Sequence, residues 1–266
     1  MGHQAISDPL ISPSPPLPLP ARASTARPYP NTPTPQHPNT PTPQHPHSPT
    51  PMVTLQLRQL DVPPGQRLLL HDVSWAEFEA ILADLGDHRR TRIAYDHGLL
   101  EIMTPLPEHE YFKQSISIAI EDIAEVLEQD YESYGSTTWK QQAQQAGLEP
   151  DNCFYFQNEA LVRGKLTFDL DQDPPPDLAL EIDITSKSLN RFPIYARLGI
   201  PEVWCYDQGA LHIYLLQGDR YIESQQSQVF PALKIPALPA LIEQYRGQGR
   251  LALRRAVRQW VRGQLP

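Results

Sequence analysis

From about residue 53 onward the chain moves between two hydrophobic rhythms, one repeating every ~3.6 residues and one every ~2 residues. In HDVSWAEFEAILADLG the residues Phe78, Ile81, Leu82 and Leu85 recur on one side until Gly86. Ser74 followed by Glu77 is a capping box, which predicts that this helix begins there. RTRIAY, the turn Asp96-His97-Gly98 and LLEIMTP predict a hairpin. Pro105 and Pro107 end it, and a long helix is predicted from Glu108 to Gln129 on the stripe Phe112, Ile116, Ile120, Ile123 and Leu127. Its acidic side is expected to face solvent.

Beyond Tyr131 the shorter rhythm returns. YESYGSTTW, DNCFYFQNEAL and ALVRGKLTFDL read as strands, with QQAQQAGLEP a polar connection. Pro174-Pro175-Pro176 forces an extended approach to DLALEIDI, the most strongly patterned strand of the chain. Ser188 to Leu198 reads as a helix stopped by Gly199, and EVWCYD pairs with LHIYLL across a turn at Gln208-Gly209. Strands on both sides of helices predict a mixed α/β domain around one central sheet. Gln248 to Gly263 reads as a last helix, with Arg250, Arg254, Arg258 and Arg262 at four-residue spacing beside an apolar side of Leu253, Val257 and Trp260. That side is expected to bury against its own domain or against a second copy in a homodimer, leaving the arginines exposed. The alternative is an arm for nucleic acid.

The front of the chain is a different physical object. Sixteen of the 30 prolines lie between Pro9 and Pro51, and the NTPTPQHP of residues 31–38 is repeated unchanged at 39–46. Such a stretch has almost no apolar side chain to bury, so residues 1–51 are expected to be disordered, with the natural start at Met52. The 215 residues that follow suffice for one substantial core. They divide into a domain over 53–241 and the basic amphipathic segment 242–266. They carry 30 acidic against 20 basic residues, which excludes broad adhesion to nucleic acid or anionic membrane. A local site stays open, because a metal held by carboxylates recruits phosphate to an acidic protein. Cys153 and Cys205 are too few for a disulfide scaffold or a four-cysteine zinc site and suit the cytoplasm. No apolar run approaches membrane-spanning length.

The sharpest chemical signal is PPPDLALEIDITS. Alternation puts Asp177, Ala179, Glu181 and Asp183 on one face and Leu178, Leu180, Ile182 and Ile184 on the other. Consecutive carboxylates on a strand face require water or a cation. Glu181 and Asp183 can reach one hard ion, with Asp151, at the start of DNCFYF, as a third oxygen donor. Such a set favours Mg²⁺ or Mn²⁺ over zinc. Lys187 and Arg191 are the candidates for stabilising charge on a phosphoryl group. His109, at a helix start between Glu108 and Glu110, is a candidate contact to substrate or to a ligating carboxylate, and its position there predicts a depressed pKa. Asp169, Asp171 and Asp173 lack the glycine and closing glutamate of a calcium loop. No GxSxG, phosphate loop or dinucleotide fingerprint occurs.

GLLEIMTPLPEHE, EPDNCFYFQN, DPPPDLALEIDITSKS and IYARLGIPEVWCYD together resemble the Uma2 family of restriction-endonuclease-like proteins, over about Val53 to Leu241. The resemblance implies a fold of the PD-(D/E)XK nuclease kind, in which a mixed sheet flanked by helices presents an aspartate and a glutamate to a divalent metal. It puts the aspartate of the Pro-Asp element on Asp151 and the glutamate on Glu181, and it brings His109 near the site. Where the general nuclease motif has lysine this chain has Asp183. The lysine that many Uma2 proteins carry four residues before a tyrosine corresponds to Arg191, ahead of Tyr195. Two expectations follow: a metal-dependent endonuclease acting on DNA, or a catalytically degenerate nuclease fold that binds nucleic acid or a protein partner.

Overall fold

The first helix starts where a side chain can satisfy it. Ser74 Oγ accepts from the Glu77 N–H at 3.3 Å, and the Glu77 carboxylate accepts from the Ser74 N–H at 2.8 Å, so α1 (Trp75–Leu85) runs from the predicted box to Gly86. The computed structural model describes residues 57–86, 90–183 and 189–266; the proline-rich segment expected to be disordered lies outside them. Phe78 of α1 stacks on Tyr95, with ring centroids 4.6 Å apart, and docks the helix on an antiparallel sheet. That sheet has the order β1 (Arg67–Leu70), β3 (Leu99–Met103), β2 (Arg92–Asp96), β6 (Ala146–Leu148), β5 (Trp139–Gln141). The predicted hairpin is its centre. His97 and Gly98 both take positive φ, 46° and 92°, as a two-residue hairpin turn of matching twist requires.

The second sheet has the order β11 (Arg220–Ser224), β10 (Ala210–Gln217), β9 (Glu202–Asp207), β8 (Leu178–Ile182), β7 (Asn152–Tyr155), β4 (Glu132–Ser133). β8 and β9 are parallel and joined through α4 (Phe192–Arg197); the other pairs are antiparallel. The fold is therefore mixed α/β, as predicted, but the strands divide between two sheets instead of forming one. QQAQQAGLEP, expected as a polar connection, supplies a strand to the first sheet. Ala146, Gly147 and Leu148 are buried as β6 and pair with β2.

Alternation along β8 sends Leu178, Leu180 and Ile182 to one side, where α2 (Pro107–Val126) covers them in a core shared with α5 (Leu238–Tyr245) and α6 (Arg250–Arg262). Ala179 faces the other way, into a core that also holds Ala94 and Leu148 of the first sheet and Tyr195 of α4. Glu181 shares that inward face by register, and so does Glu101, which lies opposite Ala94 on β3. The space between the sheets is thus mostly apolar, with two carboxylates directed into it.

Two further local expectations fail. ALVRGKLTFDL forms the short α3 (Glu159–Val162) and then turns, with Gly164 at φ 73°. Its Phe168 packs on Tyr134, Trp139 and Tyr155, so its apolar character anchors a loop. The acidic side of α2 is not wholly solvated: Asp122 is fully buried and accepts from Arg254 at 2.9 to 3.1 Å and from Arg258 Nε at 2.9 Å. Arg254 and Arg258 are therefore engaged rather than free beside the docked helix. Among the described residues no helix is long and apolar enough to cross a membrane.

Candidate active site

Asp151 stands at the mouth of β7 and is clipped across β8. Its N–H donates to Leu180 O at 3.0 Å, and its Oδ2 accepts from the Ile182 N–H at 2.7 Å. These two bonds flank Glu181, so the predicted pair is brought together by the backbone, with Asp151 1% and Glu181 8% exposed. His109, buried in the first turn of α2, forms an ion pair with Asp151, Nε2 to Oδ2 at 3.0 Å.

The pKa of His109 moves in the direction opposite to the one its position at a helix start predicts. Burial does push its pKa down, but pairing with Asp151, and then with Glu110, overrides this and raises it to about 9. Burial would likewise raise Asp151, yet His109 and the Ile182 N–H hold it below the ordinary carboxylate range. Glu181 moves the other way. Burial pushes it up, Arg191 offsets this only in part, and the charge of Asp151 adds to the rise. Neighbouring carboxylates pushed in opposite directions are a mark of functional sites.

Arg191, the N-cap residue of α4, donates through Nη1 to Glu181 Oε1 at 3.0 Å and Oε2 at 2.9 Å, and through Nη2 to Glu101 Oε1 at 3.0 Å. One helical turn on, the Tyr195 hydroxyl also donates to Glu181 Oε1. Arg67 Nη1 lies 3.6 Å from Glu101 Oε2. Asp183 follows the end of β8, its N–H bonded to Tyr206 O at 2.7 Å. With Glu181, Asn190, Arg191 and Tyr195 it lines a cavity of about 290 Å³. Lys187 lies outside the described residues.

Glu101 is the site residue that sequence reasoning missed. Its signal was a single carboxylate at an inward position of the apolar strand LLEIM. His97, by contrast, is a turn residue whose N–H donates to Gln145 O at 3.1 Å.

The donors suit a hard divalent ion in kind. Among the described residues Asp151 Oδ1, which is buried, accepts no hydrogen bond, which leaves lone pairs open beside a second carboxylate. The Glu181 oxygens are shared with Arg191 and Tyr195, and among the described residues no three His, Cys, Asp or Glu side chains stand grouped to hold a metal.

No curated protein matches the chain. Among solved structures it is similar to a protein from Anabaena variabilis described as "a putative nuclease belonging to DUF820", at 11% identity and a TM-score of 0.36, over 64% of this chain and 90% of that one. The model of the Uma2 family, described as "Putative restriction endonuclease", matches residues 75–253, and the chain belongs to that family.

Proposed function

We propose that the protein hydrolyses phosphodiester bonds in DNA with Mg²⁺ or Mn²⁺ held by Asp151 and Glu181 and, as third oxygen donor, Asp183. The observation that carries this reading is the buried Oδ1 of Asp151, next to Glu181 and without a hydrogen-bond partner among the described residues. When bound, such an ion supplies positive charge to the phosphoryl oxygens and lowers the pKa of water. The chain's own residues do the rest. His109 keeps Asp151 ionised and fixes the orientation of its Oδ2. Arg191 is a poor base, because its guanidinium stays protonated, and it binds the non-bridging oxygens of the phosphodiester through its planar N–H donors. Lys187 is the second cation of this reading. The buried thiols of Cys153 and Cys205 support the cytoplasm as its compartment.

A second reading, a degenerate nuclease fold that binds nucleic acid or a protein partner without cutting, is favoured by one observation: Arg191 already engages both oxygens of Glu181. Incubating plasmid, linear duplex and single-stranded DNA with Mg²⁺ or Mn²⁺ separates the two, with Glu181→Ala alongside. Cleavage by the wild type that is abolished in a folded Glu181→Ala protein is the expected outcome. Binding without cleavage selects the second reading, and cleavage that persists in the variant is contamination.

A further inference from the structure

Arg191 bridges two carboxylates that come from different sheets. Glu101 on β3 and Glu181 on β8 both project into the layer between the sheets, where a buried carboxylate is costly unless a cation is fixed beside it. The Arg191 guanidinium meets that need for Glu181 and, together with Arg67, for Glu101, with Nη1 on Glu181, Nη2 on Glu101 and the side chain 14% exposed at the cavity. The Glu181 lone pairs it holds are those a metal requires. Its N–H donors are those a phosphodiester requires. The Nη1 donors that close the Glu181 oxygens to a metal are, while they do so, not offered to a phosphodiester.

Building on the metal-dependent reading above, we infer that Arg191 is an internal cation that makes metal binding by Glu181 conditional on a bound phosphodiester. Without substrate, a divalent ion must displace the guanidinium from Glu181 and then stand beside it, cation against cation. A phosphodiester monoanion changes the balance. It draws Nη1 off Glu181 while Glu101 retains Nη2, and its negative charge comes between the guanidinium and the ion that takes the vacated carboxylate. Metal and nucleic acid therefore bind with positive coupling, and by linkage each strengthens the other by the same factor. Glu101 is a positioning residue in this scheme, because it keeps the displaced guanidinium at the cavity.

Calorimetric titration of Mn²⁺ into the full-length protein tests this, with and without a short phosphorothioate-linked DNA oligonucleotide that resists hydrolysis. The oligonucleotide is expected to tighten Mn²⁺ binding to the wild type by about tenfold or more. Arg191→Gln is expected to bind Mn²⁺ more tightly than the wild type in the absence of DNA and to lose most of the enhancement. Thermal melting gives a second readout: Mn²⁺ should raise the Tm of Arg191→Gln more than that of the wild type, since the ion then neutralises carboxylates the arginine no longer serves. Arg191→Gln that binds Mn²⁺ no more tightly than the wild type, or a wild type with no enhancement by DNA, overturns the inference. If Arg191→Gln does not fold, Arg191→Lys, which keeps the charge without the two-pronged bridge, is expected to fall between the two, and the wild-type coupling still decides. Glu181→Ala that binds Mn²⁺ as tightly as the wild type overturns the metal reading itself, which is a separate result.

Discussion

A buried charge is tolerable when folding fixes its partner at the same time, and Asp122, Asp151 and Glu181 each meet that condition differently. Asp122 takes two arginines from α6, one turn apart. Asp122→Asn keeps the shape and removes the charge, and it should lower stability by about 2 kcal/mol, read from urea denaturation. Little or no change would mean that Arg254 and Arg258 are equally well served by water. Asp151 takes His109, and the sign of the pH effect follows from the pKa raised from 6.5 to about 9. The pair contributes its full stabilisation below the unfolded value and loses it as pH rises through the folded one. Melting temperature should therefore fall between roughly pH 7 and 10 by more in the wild type than in His109→Gln. An NMR titration that finds the His109 ring neutral at pH 7 would sink this account.

At the scale of elements, close approach decides where strands can lie. A Cβ on Gly147 would come within 2.9 Å of the Phe78 ring, and that ring cannot yield because it is fully buried and stacked on Tyr95. Gly147→Ala should cost about 1 to 3 kcal/mol through overpacking between α1 and β6, visible as a lower denaturation midpoint with an unchanged slope. An unaffected midpoint would show that the helix shifts freely. The glycine reads in the sequence as part of a polar linker because its role is spatial: nothing in QQAQQAGLEP announces that a phenylalanine more than sixty residues earlier lies against it.

Across the whole molecule, α6 closes the core on the far side of the second sheet. Leu253, Val257 and Val261 are buried against α2 and α5, and α6 supplies both arginines on Asp122. Deleting Gln248–Pro266 should lower the melting temperature by about 10 °C or more, since several buried apolar side chains and a buried charge lose their cover together. The salt dependence of any DNA binding should stay the same. A deletion that left melting intact but flattened the salt dependence would make the helix a nucleic-acid arm instead.

What the sequence determined by itself was local and periodic. Ser74 and Glu77 set the start of α1, the Asp96-His97-Gly98 turn set the hairpin, and the alternation of DLALEIDI set which face of β8 carries Glu181; each depends on neighbours within a few residues. Asp151, Glu181, His109 and Arg191 were legible as candidates because charged residues in apolar surroundings, and their resemblance to a family pattern, stand out in a linear string. Tertiary structure alone decided that two sheets form, that Glu101 shares Arg191 with Glu181, that His109 pairs with Asp151, and that the arginines of α6 serve a buried aspartate. Each of these is a pairing across the fold between residues 10 to 136 positions apart. The free energy of such a pairing depends on burial and distance, and a sequence read one residue at a time carries neither.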